Sequence, residues 1–386
     1  MKTLIIGGGM AGLTYGILAA TSGEKTLICE RNSRVGKKIS ATGNGKCNLG
    51  NANVSLQCFN SSKIVKAVLN AVSVENYVEF LKDCGIYTFC DAAGRMYPLS
   101  ESASNIVDCL RTRYARCGGK TLCDCTVTSV KRKGSVFEVD FGSHTDVFDK
   151  VVLACGSASG TSQQSNVSQI VEKRFLTPLV PALVPVKTKT NKILNGLRAK
   201  ANVTLFADGV AIAKESGEVQ FRDFGLSGIC IFNLSSIIAR NSVRGENHRY
   251  SFVVDTVPSL SLEDLTEILQ KRICLDKVER EAYFYGILHN KIAEYVVLRA
   301  EDTTAEQLAK TAKNLTFDFE RLLDFSVSQV TAGGIDEKFV DETTLALPNG
   351  VIALGEVLNV DGICGGNNLY FAAASAMYAF CGGKNE

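Results

Sequence analysis

The sequence predicts an α/β protein in which a parallel-sheet domain is interrupted by a β-rich, barrel-like stretch and a helical one, then resumed near the C-terminus. Three observations predict it. A strand, a glycine turn, a helix and a second strand follow one another between Thr3 and Glu30. Alternating strands fill the middle of the chain and give way to helical periodicity. A strand, a glycine cluster and a helix then return after Gly350.

The first unit is the most explicit. Thr3-Leu4-Ile5-Ile6 is a short apolar run suited to a buried parallel strand. Gly7, Gly9 and Gly12 follow in G-x-G-x-x-G spacing, Met10 to Thr21 reads as a helix ending at Gly23, and Lys25 to Cys29 forms the next strand. Gly7 allows a tight turn, Gly9 a close backbone approach to a pyrophosphate, and Gly12 close helix–strand packing. The helix start, with Met10 and Ala11 in its first turn, offers unpaired N–H groups to phosphate. Glu30, at the end of the second strand, can accept both ribose hydroxyls. The order reads as a Rossmann-like dinucleotide site, with a glycine turn that merely closes a βαβ unit as the alternative.

The next segment distinguishes among dinucleotides. Arg31 follows the acid, and in VGKKISATGNGKCNLGN the glycines Gly36, Gly43, Gly45 and Gly50 interleave with Lys37, Lys38, Asn44, Lys46 and Asn48. That composition suits a backbone wrapped around extended FAD, with amides and cations near its phosphates. A solvated basic loop is the alternative.

With these residues, the chain resembles the flavoproteins often labelled NAD(FAD)-utilizing dehydrogenases. That family includes aminoacetone oxidase-like proteins and a clostridial bile-acid dehydro-steroid reductase. Further matches are GRMYPLS from Gly94, VVLACGSAS from Val151, PALVPV from Pro181, GEVQFRDFGLSGICIFNLS from Gly217 and the block from Thr331 to Ala376. The resemblance implies an FAD-binding domain of the glutathione-reductase type, split by an insert. It implies FAD contacts at Ala154 and Gly156 and in the returning segment at Gly355, Glu356, Gly366, Asn367 and Asn368. Gly355-Glu356 ends a strand, where open sheets bind ligands. Gly362, Gly365 and Gly366 precede a helix whose N-terminus can face the flavin pyrimidine edge.

Two departures from the family pattern stand out. Gly365-Gly366-Asn367-Asn368 replaces the usual Gly-Gly-Tyr-Asn. Ala154-Cys155-Gly156-Ser157 replaces an Ala-Thr-Gly-Gly turn, and the polar loop after it is shortened.

The expected boundaries are 1–177 for the first part of the FAD domain, 178–258 for the β-rich domain, 259–316 for a helical lid and 317–386 for the returning part. Turn signals at Asp208-Gly209 and Ser216-Gly217 separate strands, and Ser261 with Asp264 caps a helix. TLCDCTVTSV, holding Cys123 and Cys125, reads as one strand.

Composition restricts the partners. Across 386 residues, a 46% hydrophobic content excludes a disordered chain, and a formal charge of +2 gives no footprint for nucleic acid or anionic membrane. The 14 cysteines include no C-x-x-C pair, so no metal site is expected, and they read as free thiols in a reducing cytoplasm. The apolar N-terminus mimics a secretory signal, but its glycines would weaken a membrane helix, and no membrane span is expected. No second G-x-G-x-x-G follows a strand, so NADH or NADPH would visit the flavin transiently.

No acid–base constellation is legible. His144, His248 and His289 read as surface or structural, Arg95 and Tyr97 as pocket or core-edge residues, and Cys47 and Cys155 as packed thiols. The expectation is an FAD-dependent oxidoreductase that uses NAD(P)H to reduce a small organic or steroid-like enone. An oxidase of a small amine such as aminoacetone and a non-catalytic FAD-binding module are the alternatives.

Overall fold

The structure is a computed structural model that describes residues 1–60, 63–160, 167–275 and 280–382. It divides into two compact units, Met1–Val180 with Val330–Glu386, and Pro181–Gln329.

The first unit is built on a five-stranded sheet in the order Ile352–Ala353, Lys150–Leu153, Lys2–Ile6, Lys25–Cys29, Lys120–Leu122. All its pairings are parallel. Leu4, Ile5 and Val151 to Leu153 are fully buried, as expected for a sheet covered on both faces. Helix Met10–Thr21 crosses from the first strand to the second and ends as Ser22 and Gly23 donate back to Leu18 and Ala20. Helix Asn367–Phe380 packs beside it, with the Tyr15 and Phe380 rings 5.9 Å apart and edge-on.

Two small antiparallel sheets complete this unit. One joins Gly50–Asn51, Arg95–Pro98 and Thr88–Cys90; the other joins Ser129–Lys133, Val136–Asp140 and Thr145–Phe148. Cys123 and Cys125 do not lie on one strand as expected. The strand stops at Leu122, Asp124 turns left-handed (φ 51°), and Asp124 and Cys125 donate to the carbonyls of Asn32 and Glu30. Bonding to the Glu30 loop takes these amides out of any sheet.

The second unit holds a closed six-stranded barrel of Val186–Thr188, Gly225–Ser227, Val210–Phe221, Arg198–Ala207, Tyr250–Asp255 and Leu315–Leu322. Val203, Leu205, Phe221, Phe252, Val254 and Phe317 fill it. Asp208-Gly209 forms the hairpin turn. Ser216-Gly217 does not turn, because cross-strand pairing with Asn202 and Ala201 carries the strand through both residues. Ser261 caps its helix as expected, accepting from the Asp264 amide at 3.0 Å.

The boundary at 316/317 is also corrected. Leu315–Leu322 pairs with Tyr250–Asp255 and Val186–Thr188, so residues through Gln329 belong with the barrel. The helices expected as a lid contribute Leu265, Leu269, Ile292, Val296 and Leu308 to the barrel's own core.

Candidate functional site

The site residues converge at the carboxyl ends of the parallel strands. Gly7 turns the chain at φ 106°, and a Cβ there would lie 2.5 Å from the Ala154 carbonyl oxygen. Strand Lys2–Ile6 therefore delivers the glycine turn directly onto Ala154. A Cβ on Gly12 would lie 2.0 Å from the Gly7 carbonyl oxygen, which sets the contact between helix and turn. Gly9 behaves differently, since a Cβ there would meet no protein atom within 4 Å. The protein does not require glycine at position 9, but a ligand pressed against the backbone would.

Gly9 is also the N-cap of helix Met10–Thr21, and no side chain caps it. Its first-turn N–H groups, including those of Met10 and Ala11, are left for an external acceptor. Glu30 is 8% exposed and holds the turn in place. Its Oε2 accepts from the Gly8 amide at 2.8 Å, and its Oε1 accepts from the backbone and side chain of Asn32 at 2.9 and 2.6 Å. Arg31, half-buried next to it, opposes the rise in the Cys155 pKa. Burial nevertheless dominates and pushes that thiol up to about 12; it likewise pushes Cys47 up to about 11. Both sulfurs stay protonated near neutrality, as packed thiols do.

The wrapping segment begins with the short helix Lys37–Ser40. Lys37 is exposed. Lys38 instead reaches across to Glu356, which follows strand Ile352–Ala353, and to the Ser159 hydroxyl. Glu356 Oε1 accepts from Ser159 at 3.1 Å and from the Thr331 amide at 3.0 Å, and the Ser157 hydroxyl lies 3.1 Å from that of Ser159. A cation, a carboxylate and two hydroxyls thus meet where two parallel strands end. Ser159 and Thr331 carry no local sequence signal; only the fold brings them to Glu356. Gly156 turns at φ 65° beside this cluster. The loop beyond it, 161–166, lies outside the described residues.

Gly43, Asn44 and Gly45 are exposed and successively left-handed, at φ 57°, 52° and 85°. They form a tight turn, closed by the Lys46 amide donating to the Gly43 carbonyl at 3.0 Å. Strand Gly50–Asn51 then meets the returning segment: Asn51 Nδ2 donates to the Gly365 carbonyl at 3.1 Å, and a Cβ on Gly366 (φ 98°) would lie 2.2 Å from the Gly50 carbonyl oxygen. Gly366 is the N-cap of helix Asn367–Phe380, again without a side-chain cap.

Asn367 and Asn368 point their amides into the protein. Asn367 is 2% exposed and donates to the Ile363 carbonyl at 3.1 Å. Asn368 closes on Gly362, accepting from its N–H and donating to its C=O, each at 2.8 Å. Both side-chain amides thus brace the glycine loop.

A Cβ on Gly355 would touch both Ala11 and Ala372 at 3.3 Å, and Tyr15 meets Phe380 further along. The two uncapped helices therefore run side by side in the same direction. The second begins roughly one turn beyond the first. Two positive helix ends at successive depths, with an open backbone at Gly9, fit an extended dinucleotide that has a pyrophosphate at its middle and an electron-accepting ring at one end.

The three histidines are structural: His144 is exposed in a turn, His248 pairs with Asp208 at 2.7 Å, and His289 caps the helix Asn290–Arg299. Arg95 pairs with Asp91 at 2.7 Å. Among the described residues, no His/Cys/Asp/Glu group has metal-binding geometry, and no helix is long and apolar enough to cross a membrane.

The fold and site define a Rossmann-type, FAD-binding flavoprotein oxidoreductase. The chain belongs to the HI0933-like protein Rossmann domain family, whose model matches residues 1–382. It is 29% identical over 401 residues to the 3-dehydro-bile acid delta(4,6)-reductase of Clostridium scindens, covering 97% of both chains. It is 25% identical to the ribosomal RNA dihydrouridine synthase of Haemophilus influenzae, covering 97% of this chain and 96% of that one. Among solved structures it is similar to the 3-ketosteroid-delta4-(5alpha)-dehydrogenase of Rhodococcus jostii, at a TM-score of 0.48 and 15% identity, covering 99% of this chain and 96% of that one.

Proposed function

We propose that the protein is an FAD-dependent reductase that uses NADH or NADPH to saturate a carbon–carbon double bond conjugated to a carbonyl in a small organic or steroid-like molecule. The observation that carries this reading is the full-length similarity to a named bile-acid delta(4,6)-reductase. When bound, FAD would supply the two-electron hydride chemistry that such a reduction requires, with a proton from elsewhere completing the saturated product.

The chain's own residues bind and orient. The N–H groups after Gly9 would hold the pyrophosphate, Glu30 holds the turn and would hold the ribose, and Lys38 with Glu356 ties the wrapping segment to the returning one. The amides after Gly366 would favour negative charge on the reduced ring.

The name of the second relative supports a neighbouring reading, since dihydrouridine formation also saturates a double bond conjugated to a carbonyl. On that reading the substrate is a uracil base in RNA. The net charge of +2 argues for the small molecule.

The test is anaerobic stopped-flow reduction of the purified yellow protein by NADH and NADPH, followed by reoxidation with a 4-ene-3-one steroid, cyclohex-2-enone or a uridine-containing RNA. Reduction by nicotinamide and reoxidation by an enone are expected. Anaerobic reduction by a small amine but not by nicotinamides, with peroxide released once oxygen is admitted, would establish an amine oxidase. Flavin inert to every donor would leave a non-catalytic FAD module.

A further inference from the structure

The three-stranded sheet that follows the wrapping segment carries an exposed aromatic face. Phe89 and Tyr97 are directly opposed across the strand pair Thr88–Cys90 and Arg95–Pro98, with ring centroids 6.0 Å apart and planes tilted by only 32°. The Leu99 amide donates to the Tyr87 carbonyl at 2.8 Å, extending the pairing by one step. Side chains alternate along strands, so Tyr87, Phe89, Tyr97 and Leu99 share a face, while Met96 and Pro98 are buried on the other. Tyr87 is 59%, Phe89 37% and Leu99 67% exposed. Isolated apolar residues on a surface are ordinary; four side by side, two of them near-parallel rings, form a platform.

Two further facts indicate what it fits. The platform adjoins the wrapping segment: a Cβ on Gly43 would lie 3.9 Å from the Tyr97 ring, and the Leu49 amide donates to the Met96 carbonyl at 2.8 Å. The cations at its rim are already neutralised, Arg95 by Asp91 and Lys46 by Glu101, each within 3 Å. An RNA strand stacking on aromatics needs unpaired cations for its phosphates, and neither Arg95 nor Lys46 is one. A neutral, flat, apolar ligand needs none.

We propose that Tyr87, Phe89, Tyr97 and Leu99 form a docking platform for the ring system of a neutral polycyclic substrate of the steroid type. The ligand class rests on the function proposed above; the platform itself rests on geometry and charge. Such a ligand is held by apolar contact and ring stacking beside the cofactor's wrapping turn.

The test is equilibrium dialysis of the FAD-loaded protein against 4-androstene-3,17-dione, comparing the wild type with Leu99→Asp and Phe89→Ser. Both side chains are exposed, so both variants are expected to fold and retain FAD. Steroid affinity is expected to fall at least tenfold in each. Unchanged affinity in both variants, or no steroid binding by the wild type, overturns the proposal. So does loss of single-stranded RNA binding, or a dimer-to-monomer change on gel filtration, with steroid affinity intact. Dialysis needs no turnover, so the two readings fail separately. Steroid binding lost in the variants with no enone reduced by any form sinks the reductase and leaves the platform.

Discussion

The ammonium of Lys38 rests on the carboxylate of Glu356, 318 positions further along the chain, and the Ser159 hydroxyl contacts both. The side chain of Glu356 is 16% exposed and that of Lys38 40%. Removing the cation strands a mostly buried carboxylate, whereas removing the carboxylate leaves a lysine that can reach water. Lys38→Met is therefore expected to destabilise the first unit by about 3 kcal/mol and Glu356→Gln by only about 1 kcal/mol. Urea denaturation of the two variants measures the asymmetry, and equal losses would contradict it.

Gly9 and Gly12 belong to one motif but answer to different partners. Gly12→Ala drives a Cβ against the Gly7 carbonyl oxygen and should lower stability by about 3 kcal/mol. Gly9→Ala meets no protein atom and should leave the apoprotein within about 0.5 kcal/mol of wild type. FAD retention after gel filtration should nevertheless fall for Gly9→Ala. If the flavin is retained undiminished, it does not pack against Gly9.

Glu30 supports the same turn through hydrogen bonds to Gly8 and Asn32. Charged hydrogen bonds of this kind contribute about 1.5–3 kcal/mol each. Glu30→Ala should thus weaken FAD binding by roughly tenfold or more, measured by fluorescence titration of apoprotein with FAD.

Desolvation holds the thiols of buried Cys47 and half-buried Cys155 protonated, while Cys90 and Cys274 are exposed. Iodoacetamide at pH 8 should modify Cys90 and Cys274 well before Cys47 or Cys155, read by peptide mass spectrometry. Prompt labelling of Cys155 would show that it is an accessible thiolate.

In the barrel, Glu215 is raised above the ordinary carboxylate range by burial, with the Asn233 amide at 3.2 Å opposing the rise. A carboxyl raised by folding contributes fully below its unfolded pKa, and that contribution is lost as pH rises through the folded value. Glu215→Gln should match the wild type near pH 4 and become progressively more thermostable than it toward pH 7. A melting difference that stays constant across this range would rule out the buried charge as its cause.

The parts legible in the sequence were local in the chain. The strand, glycine turn, helix and acid between Thr3 and Glu30 lie within one βαβ stretch, and their spacing alone specifies the turn on which Gly7 and Gly12 meet. The Ser261 cap was legible for the same reason. What escaped were relationships made by tertiary pairing. Nothing near Lys38 announces Glu356, and nothing in Asn367-Asn368 reveals that both amides turn inward. Ser216-Gly217 has turn composition, yet its partners on the neighbouring strand carry it through. Leu315–Leu322 follows a helical stretch and adjoins the returning domain in sequence, so only its ladder with Tyr250–Asp255 assigns it to the barrel.

The parallel sheet receives its outer strand, Ile352–Ala353, only after the chain has passed through the entire barrel. During synthesis, Lys150–Leu153 is therefore an open sheet edge until Ile352 emerges from the ribosome, and Lys38 has no Glu356 to meet. The barrel, whose strands are contiguous in the chain, can close before the domain that surrounds it in sequence is complete. Cofactor capture is thus deferred until the returning segment has been made, so a chain stalled before residue 350 would carry a finished barrel and half a nucleotide cradle.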